Sequence, residues 1–177
     1  MAENVYNIGL QIEDSTGGDL EKYSAELDRL YSSRFVLGRD SIPHVTLVQA
    51  QTEMEPQKFW EMFAARGKQA VKLTMAGICV LPTEGEDIWL EVPVLRSQNL
   101  EMLHKQAVDL AEQVGARILS GVGDAYRPHV TVGLINRTSL QQIFSTPVNP
   151  LRTDGVKCVP YLALSGPNYT VGEILFK

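Results

Sequence analysis

The stretch Pro-His-Val-Thr-Leu at residues 43–47 occurs a second time, as Pro-His-Val-Thr-Val at residues 128–132. The two histidines, His44 and His129, are 85 residues apart, and Gly38 and Gly123 precede them at the same spacing. A five-residue near-identity with its leading glycine in register is typical of an internal repeat rather than of chance. The chain is therefore expected to contain two related halves, each organised around one copy.

Each copy has the alternation of a half-buried β-strand. Because successive side chains of a strand point to opposite faces, His44 and Thr46 share one face, and the apolar residues beside them share the other. His129 and Thr131 repeat this arrangement in the second copy. Two such strands placed face to face would bring two imidazoles and two hydroxyls into one cleft.

Composition and charge restrict the class of protein. The 177 residues are 44% hydrophobic and 21% charged, which is ordinary for one globular domain with a sizeable core. The net charge of −5 disfavours an extended grip on long DNA or RNA, for which a basic surface is expected. It is compatible with a small anionic ligand held by a few donors. We expect a monomer.

The sequence also bears on the compartment. It has no run of 18 apolar residues, so no membrane span is expected. Residues 1–4 do not begin a signal peptide, because no basic region followed by an apolar one is present. Cys79 and Cys158 lie in apolar, strand-like stretches, which predicts buried free thiols, with a single disulfide as the alternative. These features favour a cytoplasmic protein.

Hydrophobic periodicity predicts an α+β fold, since pairs of strands joined by tight turns indicate antiparallel pairing. Residues 17–19 are expected to form a turn and helix cap, residues 147–155 a loop, and residues 166–168 the last turn. The predicted helices lie near 20–33, from 56, at 97–114 and at 138–144. The predicted strands lie near 5–12, 42–49, 70–81, 88–92, 128–135, 156–165 and 170–176.

The paired motif resembles the signature of the two-histidine (2H) phosphoesterase superfamily, which includes 2′-5′ RNA ligases and cyclic phosphodiesterases. The resemblance rests on two His-x-Thr-x copies, each after a proline in a strand, and it extends over nearly the whole chain. It implies a bilobal, pseudo-symmetric fold, with two antiparallel sheets, helices outside and a central cleft. It also implies that His44, Thr46, His129 and Thr131 are catalytic, without a cofactor.

Two imidazoles beside one phosphate can divide acid–base work. Unperturbed histidine titrates near ~6.5, so one ring can accept a proton from water while the other donates one to the leaving oxygen. Thr46 and Thr131 can stabilise the phosphate oxygens by hydrogen bonds. The sequence does not assign base and acid between His44 and His129. A metal site is disfavoured, because no third ligand or closely spaced ligand pair accompanies either motif.

Three residues on strand faces are candidates for substrate binding. Asn7 and Gln11 alternate with apolar residues in the first strand, and they either line the cleft or face solvent. Trp89 lies on the polar side of its strand, where it can stack a base or pack against a neighbouring element.

Further candidates lie near the motifs. Tyr126 can cover a base or ribose at the cleft mouth, and Arg127 or Arg39 can meet a second phosphate, although each is also compatible with an ordinary surface role. His104 lies on the apolar stripe of the third predicted helix, which favours a packed residue without a catalytic role.

The leading interpretation is a metal-independent phosphodiesterase that hydrolyses a 2′,3′-cyclic phosphate or a related small nucleotide. Within the same class, the alternatives are hydrolysis of 2′-5′-linked or cyclic oligonucleotide signals and ligase-like processing of RNA ends. A different-class alternative is a nucleotide- or RNA-binding module without turnover, which would not require a matched acid and base. The expected partner is a small nucleotide or short oligonucleotide.

Overall fold

The computed structural model describes residues 4–67, 69–145, 153–166 and 170–177. The predicted features at Pro147, Pro150, Pro167 and Asn168 lie outside these residues. Four α-helices are present in the described part of the chain: α1 (Ser15–Tyr31), α2 (Pro56–Ala64), α3 (Gln98–Gln113) and α4 (Leu140–Ser145). The strands there are β1 (Asn4–Ile12), β2 (His44–Thr52), β3 (Val71–Met75), β4 (Cys79–Pro82), β5 (Asp87–Pro93), β6 (Arg117–Ile118), β7 (His129–Asn136), β8 (Thr153–Ser165) and β9 (Val171–Phe176).

The strands form two antiparallel sheets of unequal size. The larger has the order β3-β8-β1-β2-β6, with β9 added to β8, and the smaller has the order β4-β5-β7. The first motif lies on β2 and the second on β7, and each motif strand pairs with a strand that comes earlier in its own half, β1 or β5. The α+β class and the antiparallel pairing predicted from sequence are confirmed.

The backbone repeats the same irregularity in both halves. The β1–β2 register shifts between Ile8 and Gly9, and the β5–β7 register shifts between Leu90 and Glu91. After the shift, Gly9 lies opposite Thr46 and Glu91 lies opposite Thr131. Gly9 and Glu91 therefore occupy equivalent positions in two related strand pairs, β1–β2 and β5–β7.

The helices interlock the two halves. Helix α1 follows β1 but packs on β7, where Leu27 lies close over Gly133. Helix α3 follows β5 but packs on β2, where Nδ1 of His104 lies 2.8 Å from the carbonyl oxygen of Leu47. Each helix thus supports the motif strand of the other half, and burial of its apolar face supplies the driving force.

Two local predictions were wrong. Residues 17–19 lie inside α1, because Asp14 caps the helix earlier by accepting from the amide of Thr16 at 2.9 Å. The alternating run at 70–81 forms two strands, β3 and β4, in different sheets. Gly77 separates them with φ of 69°, a left-handed conformation that glycine adopts without strain.

The two cysteines differ from the predicted pair of buried thiols. Both are free, but Cys79 is exposed and Cys158 is buried. Burial raises the pKa of Cys158 to about 12, so its thiol is protonated and unreactive at neutral pH. Among the described residues, no helix has the length and apolar character needed to cross a membrane.

Candidate active site

A cavity of about 420 Å³ lies between the two motif strands. All four motif residues, His44, Thr46, His129 and Thr131, line it, as their shared strand faces predict. Their gathering follows from the fold, because β2 and β7 come into contact although they belong to different sheets.

Both histidines are held in the same way. Nδ1 of His44 lies 2.7 Å from the carbonyl oxygen of Ile42, and Nδ1 of His129 lies 2.7 Å from that of Arg127. A carbonyl oxygen can only accept, so Nδ1 carries the hydrogen in each ring. This leaves Nε2 of each imidazole for proton transfer, as a base when neutral and as an acid when protonated.

His44 lies in an uncharged environment. The ring of Tyr161 meets its imidazole edge to face, with ring centroids 6.1 Å apart. Burial lowers the pKa of His44 to about 4, and the nearby His129 lowers it further, against the carbonyl of Ile42, which raises it. His44 is therefore neutral at ordinary pH and has the protonation state of a base.

Thr46 is oriented by a chain of buried hydrogen bonds. The Tyr161 hydroxyl donates to Oδ1 of Asn7 at 3.0 Å, and Nδ2 of Asn7 donates to Oγ1 of Thr46 at 3.1 Å. Burial raises the pKa of Tyr161, which keeps its phenol a donor and fixes the direction of the chain. The hydroxyl hydrogen of Thr46 thus remains available for a ligand. Asn7 faces the cleft side, but it is fully buried and contacts Thr46 instead of the cavity.

The second motif has a charged neighbour that the sequence analysis missed. Glu91 is 5% exposed and lines the cavity, and its Oε1 lies 3.3 Å from Nε2 of His129. Nη2 of Arg127 donates to Oε1 and Oε2 of Glu91 at 3.1 and 2.8 Å. Arg127, predicted to meet a second phosphate, is therefore paired with this carboxylate. The available signal was that Glu91 shares the polar side of the predicted strand at 88–92 with Trp89.

Two groups of cavity-lining residues differ in chemistry. Phe35, Leu81 and Trp89 form an aromatic and apolar group, and the rings of Phe35 and Trp89 meet edge to face with centroids 5.9 Å apart. Trp89 thus both packs on a neighbour and lines the cleft. Gln49 and Ser120 form a polar pair, in which the backbone N–H of Gln49 donates to the Ser120 hydroxyl at 3.1 Å.

Tyr126 lines the cavity but is almost entirely buried. Its hydroxyl donates to the carbonyl oxygen of Thr46 at 3.2 Å, and its ring stacks on His104 with centroids 3.7 Å apart. One ring face is therefore unavailable to a base. Burial lowers the pKa of His104, which favours the packed, neutral residue expected from the helix pattern.

Two predicted binding residues lie away from the cavity. Arg39 is exposed and forms ion pairs with Asp40 at 3.0 Å and Asp28 at 3.5 Å. Gln11 pairs with His44 through the β1–β2 backbone ladder, but its side chain is not among the described residues that line the cavity. The described residues contain no group of three or more histidine, cysteine or acidic side chains that could hold a metal ion. A metal-free site stays a prediction.

No protein-family model and no curated protein matches the sequence. Solved structures match over 99% of this chain. E. coli LigT complexed with 3′-AMP superposes with a TM-score of 0.62 over 95% of its own length, at 15% identity. E. coli LigT complexed with ATP gives 0.59 over 98%, and a structure described as a phosphoesterase gives 0.57 over 98%, both at 15% identity. The chain has the LigT fold, which confirms the predicted bilobal architecture.

Proposed function

We propose that the chain is a phosphodiesterase of the 2H type, which hydrolyses a 2′,3′-cyclic phosphate or a related small nucleotide without a metal. The observation that carries the proposal is the matched pair of imidazoles. Each is fixed through Nδ1 to a carbonyl oxygen two residues upstream, and each lines the same cavity beside a threonine. A purely binding site has no need for two histidines held in this manner.

The chemistry follows from the two Nε2 atoms. A neutral imidazole takes a proton from water as the water oxygen bonds to phosphorus. The bond from phosphorus to the 2′ or 3′ oxygen then breaks, and the second imidazole, as a cation, gives that oxygen its proton. Each transfer contributes about 10²–10⁴-fold to the rate. The Thr46 and Thr131 hydroxyls donate to the phosphate oxygens, where negative charge increases. The product is a phosphomonoester.

The cavity favours a nucleotide-sized substrate. A volume of about 420 Å³ is at the small end of ligand pockets, which span roughly 300–1,000 Å³. The rings of Phe35 and Trp89 offer an apolar surface for a base, and LigT, which has the same fold, was solved with 3′-AMP and with ATP. The described residues of one chain line the cavity with both motifs.

The proposal is tested by a substrate panel after exhaustive chelation. We expect turnover of 2′,3′-cyclic mononucleotides, and large losses in His44→Ala and His129→Ala with unchanged far-ultraviolet circular dichroism. The panel includes 2′-5′-linked dinucleotides, cyclic dinucleotides and RNA ends, which decide between the phosphodiesterase alternatives. Equilibrium binding without turnover of any of them would instead identify a binding module. Activity that disappears with chelator and returns with zinc would overturn the metal-free mechanism.

A further inference from the structure

The related strand pairs β1–β2 and β5–β7 have different residues at one equivalent position. Gly9 lies opposite Thr46, whereas Glu91 lies opposite Thr131. A Cβ atom at position 9 would lie 2.5 Å from the Tyr161 hydroxyl, so β1 has no space for a side chain at this position. The packing therefore allows a carboxylate beside one motif histidine and excludes it beside the other.

The surroundings of His129 suit an imidazolium ion. Its Nδ1 faces the carbonyl oxygen of Arg127, and its Nε2 faces the Glu91 carboxylate at 3.3 Å. The carbonyl oxygen accepts from Nδ1 whether the ring is neutral or protonated, and the carboxylate, at ion-pair distance, attracts a positive charge on the imidazole. Among the described residues, the charged groups around this ring are Glu91 from β5 and Arg127 at the entrance to β7, and the neighbouring titratable group is the neutral His44 from β2.

The surroundings of His44 suit a neutral ring. Its Nδ1 faces the carbonyl oxygen of Ile42, and the protonated phenol of Tyr161 meets its ring from β8. The charged group that acts on it is His129, and two adjacent cations repel each other. A proton shared between the two rings is thus favoured on the ring that has the carboxylate.

We propose that Glu91 is a positioning residue that keeps His129 protonated, so that His129 is the general acid and His44 the general base. This inference rests on the proposed function, and it assigns the side of the cleft from which water attacks and the side on which the leaving oxygen departs. Water attacks phosphorus from the His44 side, and the leaving oxygen departs on the His129 side with a proton from Nε2. Arg127 holds the carboxylate in place through two contacts to its oxygens.

The experiment is a pH–rate profile of kcat/KM for Glu91→Gln with a 2′,3′-cyclic mononucleotide. Loss of the carboxylate makes it easier for His129 to lose its proton, so the alkaline limb moves to lower pH. At a fixed pH on the alkaline limb, kcat/KM falls about tenfold for each pH unit by which the limb moves. The acid limb, set by His44, stays in place. Glu112→Gln removes the same charge at an exposed site and leaves the profile unchanged. An unchanged Glu91→Gln profile, or movement of the acid limb alone, would overturn the assignment.

A second measurement separates this inference from the proposed function. Imidazole titrations by NMR need no substrate, and they should show His129 losing its proton at higher pH than His44. Glu91→Gln should reduce the difference between the pH values at which the two rings lose their protons. Glu91→Asp retains the charge and should keep most of that difference, and it serves as the test if the glutamine variant folds poorly. Equal titration of the two rings in the wild-type protein would refute the inference. Ordered titration without turnover of any diester would retain it and refute the proposed function.

Discussion

The two motif histidines lie on related strand pairs, β1–β2 and β5–β7, but their surroundings differ. The His44 half-site consists of His44, Thr46, Asn7 and Tyr161, and its hydrogen-bond chain is uncharged and ends on the threonine. In the His129 half-site, formed by His129, Thr131, Glu91 and Arg127, the network is charged and ends on the histidine.

The difference shows how a repeat can support asymmetric chemistry. Two identical imidazoles in identical surroundings would compete equally for one proton, and neither would be a fixed acid or base. A change at one position, glycine against glutamate, makes the two surroundings unequal while leaving the Nδ1 anchors alike. The repeat therefore supplies geometry, and the residues around it supply the electrostatic difference.

The largest expected effect tests which half-site releases the leaving group. A nitrophenyl phosphodiester needs little protonation of its leaving oxygen, so loss of the acid should matter less for it than for a cyclic nucleotide. His129→Ala should lose about 10²–10⁴-fold in kcat with the cyclic nucleotide and much less with the nitrophenyl ester. His44→Ala, which removes the base, should lose similar factors with both.

The double variant serves as the control for this prediction. Residues that act as a unit are not additive, so His44→Ala with His129→Ala should be little slower than the more damaged single variant on the cyclic nucleotide. Rescue of His44→Ala, and not of His129→Ala, by the nitrophenyl leaving group would reverse the acid and base assignment.

The sequence predicted the two motif pairs but not the carboxylate that makes their surroundings unequal, and the reason is physical. Strand parity was sufficient to place His44 with Thr46, and His129 with Thr131, because it depends only on local backbone geometry. The fold then brings the two faces to one cavity. Glu91 becomes a partner of His129 only through the register of β5 against β7, which includes a shift that alternation cannot reveal.

Some candidate residues could not be resolved from sequence because tertiary packing determines their roles. Asn7 was equally compatible with solvent and with the cleft, and contact with Tyr161, 154 residues away, buries it. Arg39 and Arg127 are both arginines near a motif, but acidic partners direct one to the surface and the other to the cleft wall. No local pattern distinguishes them.

An intermediate effect is expected at Trp89, which lines the cavity beside Phe35. If a base stacks there, Trp89→Ala should cost about 1–3 kcal/mol, or roughly 5- to 150-fold in KM, with a smaller change in kcat. Trp89→Phe, which retains an aromatic face beside Phe35, should recover most of the affinity. Steady-state kinetics with a substrate that has no aromatic group, such as ribose 2′,3′-cyclic phosphate, should show no change in KM.

A smaller effect is expected from the uncharged chain of the His44 half-site. Tyr161→Phe leaves Oδ1 of Asn7 without its donor, which should reduce the free energy of unfolding by about 1–3 kcal/mol. The kcat should fall because Thr46 is held less firmly, while both limbs of the pH profile stay in place. Urea unfolding and kinetics would measure this. Tyr23→Phe is the matched control, because the buried Tyr23 hydroxyl has no hydrogen-bond partner among the described residues. Equal losses in both variants would contradict the role of the chain.

The smallest expected effect concerns salt and substrate length, and it follows from the ion pairs that three arginines form with acidic side chains. Arg127 is bound to Glu91, Arg96 to Glu101, and Arg39 to Asp28 and Asp40, while the whole chain carries a net charge of −5. A protein that contacts 6–10 phosphates loses about 10³–10⁵ in affinity between 50 and 200 mM salt. If the motif residues supply most of the phosphate contacts, as the proposed function requires, kcat/KM should change by less than about tenfold over that range. Measured against oligonucleotide length at both salt concentrations, kcat/KM should be nearly flat. A steady rise with length that disappears at the higher concentration would mean that a basic surface outside the cavity binds long RNA.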